Sequence, residues 1–153
     1  TTASAPLLPP YIEVVRHFPT RAQPGAVATI VREHLSRRPG GNPIDRLAAC
    51  VEQAGTWLPD AGMARFHLWA FGSLRQCGAT AELLADLAVY LDDEFAGAAA
   101  AAVPLRSVAA AAKAVQFKMA RAVNGRKVDV SSTLAAMATD WQTALDAIAD
   151  AVG

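Results

Sequence analysis

Residues 131–152 read SSTLAAMATDWQTALDAIADAV. Leu134, Met137, Trp141, Leu145, Ile148 and Val152 recur at steps of three and four, the spacing that lines one face of an α-helix. Thr139, Asp140, Gln142, Asp146 and Asp150 fall on the opposite face and are expected in water. A helix with one apolar stripe is stable only against a partner, so this segment calls for other helices in the same chain. Ser131 or Ser132 is the expected N-cap.

The same signals recur upstream. Asn124-Gly125 is a stop signal for a preceding helix, which carries Val108, Val115, Phe117 and Met119, with Pro104 expected at its first position. Ala96–Ala102 is low in complexity and strongly helix-forming. Residues 60–95 form the longest helical stretch, with an interruption expected near Gly78. Met63, Phe66, Leu68, Trp69, Phe71, Leu74, Leu83, Leu84, Leu87 and Leu91 surround it almost completely, which predicts a central helix with neighbours on several sides. Asp92-Asp93-Glu94 would oppose a negative helix end and marks a solvated exit. Before it, Asn42 is a good N-cap, Pro43 suits the first position and Asp45 the first turn. Ile44, Leu47, Ala48, Val51 and Leu58 carry that helix to Pro59. A first helix begins near Pro24, carries Val27, Ile30, Val31, His34 and Leu35, and ends at Pro39-Gly40-Gly41. Residues 1–23 read as an extended lead-in, within which Tyr11–Phe18 fits a short strand or a helical turn. The expected fold is all-α: one domain over residues 24–153, a compact antiparallel bundle of five to six helices.

Composition narrows function by exclusion. The 153 residues are 53% hydrophobic and 18% charged, enough apolar matter for a real core and too little charge for general disorder. Fourteen basic and fourteen acidic residues cancel, which argues against nucleic acid, whose binding requires many phosphates to be neutralised. It also gives no overall attraction to anionic membranes. Cys50 and Cys77 are too few for a disulfide framework and read as reduced thiols on apolar helices. No secretory signal is visible and the longest apolar run is too short for a bilayer, so the expected location is the cytoplasm. The first residue is Thr, which suggests a piece of a longer protein. No phosphate loop, dinucleotide-binding glycine pattern or metal-ligand pair is present, and no cofactor or metal is expected.

The residues able to carry chemistry cluster on the long central stretch. Arg65, His67, Arg75, Gln76 and Glu82 are out of place on so apolar a helix, and Arg106, Lys113, Gln116 and Asn124 share a broad face of the following helix. Packed face to face, the two sets would form a polar layer inside the bundle. That layer is either a hydrogen-bond network fixing helix register or a pocket for a ligand or partner. His67 is the one candidate general base there, but a lone histidine on such a helix is more often a satisfied core residue; His17 and His34 belong on the surface or at an interface. Arg75, two positions before Cys77, can lower its thiol pKa, but no histidine stands at a spacing that implies a thiolate pair. Ser73 has the same weakness. Two basic clusters follow, Arg32, Arg37 and Arg38, and then Arg121, Arg126 and Lys127. Cations favour helix C-termini by themselves; they also suit docking of an acidic protein.

The run Ala64-Arg65-Phe66-His67 with Leu74-Arg75-Gln76-Cys77-Gly78-Ala79, and the later run Ala112-Lys113-Ala114-Val115-Gln116-Phe117-Lys118-Met119-Ala120-Arg121, resemble a bacterial family of uncharacterised proteins. Its members are often encoded beside carrier proteins and the seryl-tRNA-synthetase-like ligases that load those carriers with amino acids. The resemblance covers residues 60–150 and corresponds to the helical C-terminal half of proteins about twice this length. It implies an N-terminal half similar to papain-like acyltransferases, which would hold the nucleophile. The residues here would then shape an acceptor pocket, a domain interface or a docking face for an acidic carrier bearing a phosphopantetheine-linked substrate. Arg121, Arg126 and Lys127 are the candidate docking patch. The family has no established site to match, so the resemblance assigns no catalytic residue. The reading of different class is a helical interaction or scaffold domain with no part in catalysis.

Overall fold

A computed structural model describes residues 25–153, and no strand occurs among them. The lead-in over 1–23, with Tyr11–Phe18, His17 and Pro24, lies outside the described residues. Helix α1 spans Ala26–Ser36 and α2 spans Pro43–Ala70. A π-turn over Phe71–Arg75 joins α2 to α3 (Gln76–Leu91), and a 3-10 turn over Ala98–Ala101 leads into α4 (Ala102–Ala122). Helix α5 spans Ser131–Val152. Because α2, the π-turn and α3 run on without a gap, as do the 3-10 turn and α4, the described residues form four helical stretches, not five to six.

One expected stop is displaced by three residues and one failed. Pro59 sits inside α2, and Gly78 sits inside α3, with Ala109 O and Ala112 Cβ of α4 each 3.6 Å from the place its Cβ would occupy. The real break is Gly62, at φ 73 and ψ 170, a conformation essentially reserved for glycine. There the chain folds back. Nineteen positions apart on a straight helix, Cys50 and Trp69 would be about 28 Å from each other, yet the Trp69 indole N–H donates to Cys50 Sγ at 3.4 Å. Trp57 and Trp69 meet edge to face across the same bend, with centroids 6.2 Å apart.

The caps are more regular. Asn42 accepts from the Ile44 N–H and donates to Ala138 O of α5, with Pro43 first in the helix. Helix α3 ends at Leu91 as expected, and the Asp92 carboxylate accepts from the N–H groups of Gly97 and Ala99 at 3.0 and 2.9 Å. Those bonds settle the first free donors of the next helical run. Pro104 lies two residues inside α4 rather than at its start. At α5 neither serine is the cap. Val130 holds that position, and Asp129 accepts from the Ser131 N–H and hydroxyl at 2.9 and 2.6 Å.

The core has two parts along the bundle. One gathers Leu58, Phe66, Leu74, Val115, Met119 and Met137 among α2, the π-turn, α4 and the start of α5. The other gathers Ala85, Ala88, Leu91, Leu105, Ala144 and Ile148 among α3, α4 and the end of α5, with Ala28 of α1 beside them. Trp141 packs against both. Alanine does much of the burying, so helices approach closely and larger side chains stay outside. Leu83 is 70% exposed and Leu68 74%, so the 60–95 stretch is not surrounded by neighbours as its composition predicts. Helix α1 is tied down by Arg32, which donates to the Val152 carbonyl at 2.8 and 3.1 Å. The helical run Ala98–Ala122 is long and apolar enough, by length and composition, to cross a membrane; here its apolar stripe packs against the other helices.

Candidate functional site

No polar or charged side chain is buried among the described residues. The expected internal polar layer is therefore corrected. Arg65, His67, Arg75, Gln76, Glu82 and Lys113 are exposed, and Gln116 is half-buried. The physical reason is the alanine seam: with Ala81, Ala85 and Ala88 turned inward, the polar positions of α3 rotate to the outside, where water satisfies them at no desolvation cost.

Part of the set nonetheless shares one surface. Gly78 faces Ala109 and Ala112, and Arg106 approaches Asp86 at 3.6 Å, so α3 and α4 run antiparallel in a known register. At about 100° per residue, Glu82 and Asp86 fall on the shoulder of α3 that borders α4, in line with Arg75 at the end of the π-turn. Arg106, Lys113 and Phe117 fall on the matching shoulder of α4. The Arg75 guanidinium lies 5.8 Å from the Phe71 ring centroid, a cation–π contact at an open site. Arg65 and His67 belong elsewhere, on the short arm after the Gly62 bend, where the His67 ring sits 5.5 Å from Phe66.

Cys50 and Cys77 are free and half-buried. Burial pushes the Cys77 thiol up from its ordinary value, the opposite of the activation that Arg75 suggested. Ser73 donates its hydroxyl to Trp69 O at 2.7 Å, one turn back on its own helix, which is a structural use.

The predicted docking patch is built by a helix stop. Gly125, at φ 72, donates to Ala122 O at 2.9 Å, and the Arg126 N–H reaches back to Arg121 O at 3.3 Å. These are the two bonds of a Schellman motif, and they hold the backbone of Arg126 against that of Arg121. Arg121, Arg126 and Lys127 are all exposed. Arg126 and Lys127 also line a cleft of about 1000 Å³ between α2 and the α4–α5 connection. Ala48, Val51, Met119, Val130 and Leu134 line its apolar part, and Asp45 and Glu52 of α2 also border it. Asp129, also on the wall, is held below its ordinary pKa chiefly by the Ser131 hydroxyl and amide, so it stays ionised there and adds a third carboxylate to the cleft lining. A cationic edge, an apolar surface and two carboxylates across the gap make a surface that can orient a charged partner.

A second cleft, of about 990 Å³, lies among α1, α3 and α5. None of the expected polar-layer residues lines either cleft. Neither cleft is visible in the sequence, because each is assembled from distant segments; only the stop at Asn124-Gly125 hints at the first.

No group of three or more His, Cys, Asp or Glu side chains able to hold a metal occurs among the described residues. No curated protein and no solved structure matches the chain. Residues 20–150, most of the sequence, match the family model described as "DUF1839 C-terminal domain". The chain thus belongs to the DUF1839 C-terminal domain family.

Proposed function

We propose that this chain is a helical accessory domain that docks an acidic carrier protein through the cleft between α2 and the α4–α5 connection. In this reading it serves a carrier-dependent aminoacyl transferase, with the nucleophile in another domain. The observation that carries the docking part is the Schellman turn, which gathers Arg121, Arg126 and Lys127 on one exposed edge and puts two of them on the cleft wall. Cations at a helix end are common for dipole reasons alone. Their placement at the edge of an apolar-floored cleft adds something that dipole stabilisation does not require; since Asp45, Glu52 and Asp129 outnumber Arg126 and Lys127 on the cleft wall itself, the acidic carrier meets the cations along that edge. The aminoacyl-transfer part rests on the family resemblance.

A carrier charged with an aminoacylated phosphopantetheine arm is expected to bind in a salt-sensitive manner, as rim-charge contacts do. Reversing all three charges (Arg121→Glu, Arg126→Glu, Lys127→Glu) is expected to abolish that binding while leaving the helical circular dichroism intact. Binding unchanged by the reversal defeats the patch assignment.

A second reading, a scaffold domain that binds a protein without any part in catalysis, draws on another observation. Leu68, Phe71, Leu83, Tyr90, Val103 and Phe117 are more than half exposed, and those of them that adjoin one another would offer a partner an apolar surface. A partner captured by that surface would bind independently of salt and of the three cations.

A further inference from the structure

The second cleft has a composition of its own. Its floor is apolar on three sides: Val27, Ile30, Val31 and Leu35 from α1, Leu84, Leu87 and Leu91 from α3, and Trp141, Leu145 and Ile148 from α5. Every formally charged residue that lines it is basic, namely Arg37, Arg38 and Arg46, with His34 beside them. Arg37 is spoken for by Glu33, one turn back on α1. Arg38 and Arg46 have no carboxylate partner among the described residues and are exposed. Trp141 lines this cleft, and its indole N–H is buried without an acceptor; a buried donor left unmet is uncommon enough to require a reason.

These features together select a ligand. A volume of about 990 Å³ lies within the usual range for small-molecule sites, and the apolar floor would take a hydrocarbon body. The rim would take a negative head, since guanidinium groups pair well with carboxylates and phosphates. We infer that the cleft among α1, α3 and α5 binds an amphipathic anion, an aliphatic chain carrying a carboxylate or phosphate head. The chain lies along Leu84, Leu87, Leu145 and Ile148, and the head lies by Arg38 and Arg46. An oxygen acceptor that reaches the floor through a small side-chain adjustment also meets the Trp141 N–H. The lining residues of the two clefts do not overlap, so this site stands or falls separately from carrier docking.

The test titrates the full, isotopically labelled chain with dodecanoate and with dodecyl phosphate, each below its micelle concentration, and follows the Trp141 indole N–H and the leucine and isoleucine methyls by NMR. Dodecyltrimethylammonium is the control, with the same chain and the opposite head. The expected result is saturable shifts confined to the cleft for at least one anion, and at least tenfold weaker binding of the cation. Arg38→Glu with Arg46→Glu, both at exposed positions, is expected to weaken the anion at least tenfold while the folded spectrum persists. The stronger of the two anions identifies the head group. Equal binding of the cation overturns the inference, as do shifts scattered over the surface or none at all. Contacts from Leu7, Leu8 or Tyr11 to the cleft methyls that no anion displaces give the cleft to the chain's own lead-in. Concentration-dependent shifts without ligand give it to a second copy. Either of these also overturns it.

Discussion

Two glycines of α2 invite the same substitution with opposite results. Gly55 is helical and exposed, with nothing within 4 Å of the place its Cβ would occupy. Alanine there restricts the unfolded chain and improves helix propensity, a gain of about 0.5–1 kcal/mol. Gly62 is equally open, also with nothing within 4 Å, so sterics against neighbours predict no difference. Its backbone, however, stands at φ 73 and ψ 170, where any Cβ collides with its own peptide units; holding a non-glycine residue there costs about 1–3 kcal/mol. Gly55→Ala is thus expected to raise the melting temperature and Gly62→Ala to lower it. For a domain of this size each kcal/mol moves the midpoint by about 2–4 °C. Urea denaturation followed by circular dichroism measures both changes, and the Trp69–Cys50 and Trp57–Trp69 contacts across the bend give fluorescence a second view. A stabilised or neutral Gly62→Ala protein would refute the fold-back. It would mean that α2 can continue straight through residue 62, and the packing of its short arm would have to be redrawn.

Other consequences are as direct. Leu91→Ala, at a fully buried position, is expected to cost about 2–5 kcal/mol, whereas Leu83→Ala, at a 70% exposed position, should fall within about 0.5 kcal/mol of the parent; comparable losses from both would contradict the rotation of α3. The raised Cys77 pKa leaves little thiolate near neutrality, so iodoacetamide should modify it more slowly than an unstructured peptide thiol under the same mildly alkaline conditions, as read by mass spectrometry. Equal or faster labelling would revive activation by Arg75. For Asp129 the folded pKa is depressed below the ordinary 3.8, so its capping contribution is complete above that pH and is lost as pH falls through the lower folded value. The Ser131 amide shift should titrate with a midpoint under 3.8, and a midpoint at or above that value would show that the cap bond is not held in solution.

Local signals are legible in the sequence and long-range ones are not. Asn42-Pro43 and Asn124-Gly125 announce a helix start and a helix stop because each acts through bonds to its own neighbours. The α5 stripe is legible for the same reason, and Leu134, Met137, Ile148 and Val152 are indeed buried. Pro59 announces a break in this stretch, but the turn itself falls three residues later at Gly62, a position that the alanine-rich sequence does not single out. The rotation of α3 escapes the periodicity because large apolar side chains carry the most weight as core, while tight helix contact selects Ala81, Ala85 and Ala88. That one difference also moves Gln76 and Glu82 from the interior to the surface, as the inward Ala109 and Ala112 of α4 do for Lys113. The patch at Arg121, Arg126 and Lys127 is visible through its cations, but its cleft depends on α2 arriving from far along the chain.

The measurement that bears most directly on the docking proposal is a titration of the labelled chain with an aminoacylated, acidic carrier protein, followed by backbone amide shifts. The account predicts saturable shifts at Arg121–Lys127 and along the cleft wall at Ala48, Val51 and Leu134, diminished by added salt. Shifts confined to the exposed apolar residues Leu68, Phe71 and Phe117, or no shifts at saturating carrier, would contradict it.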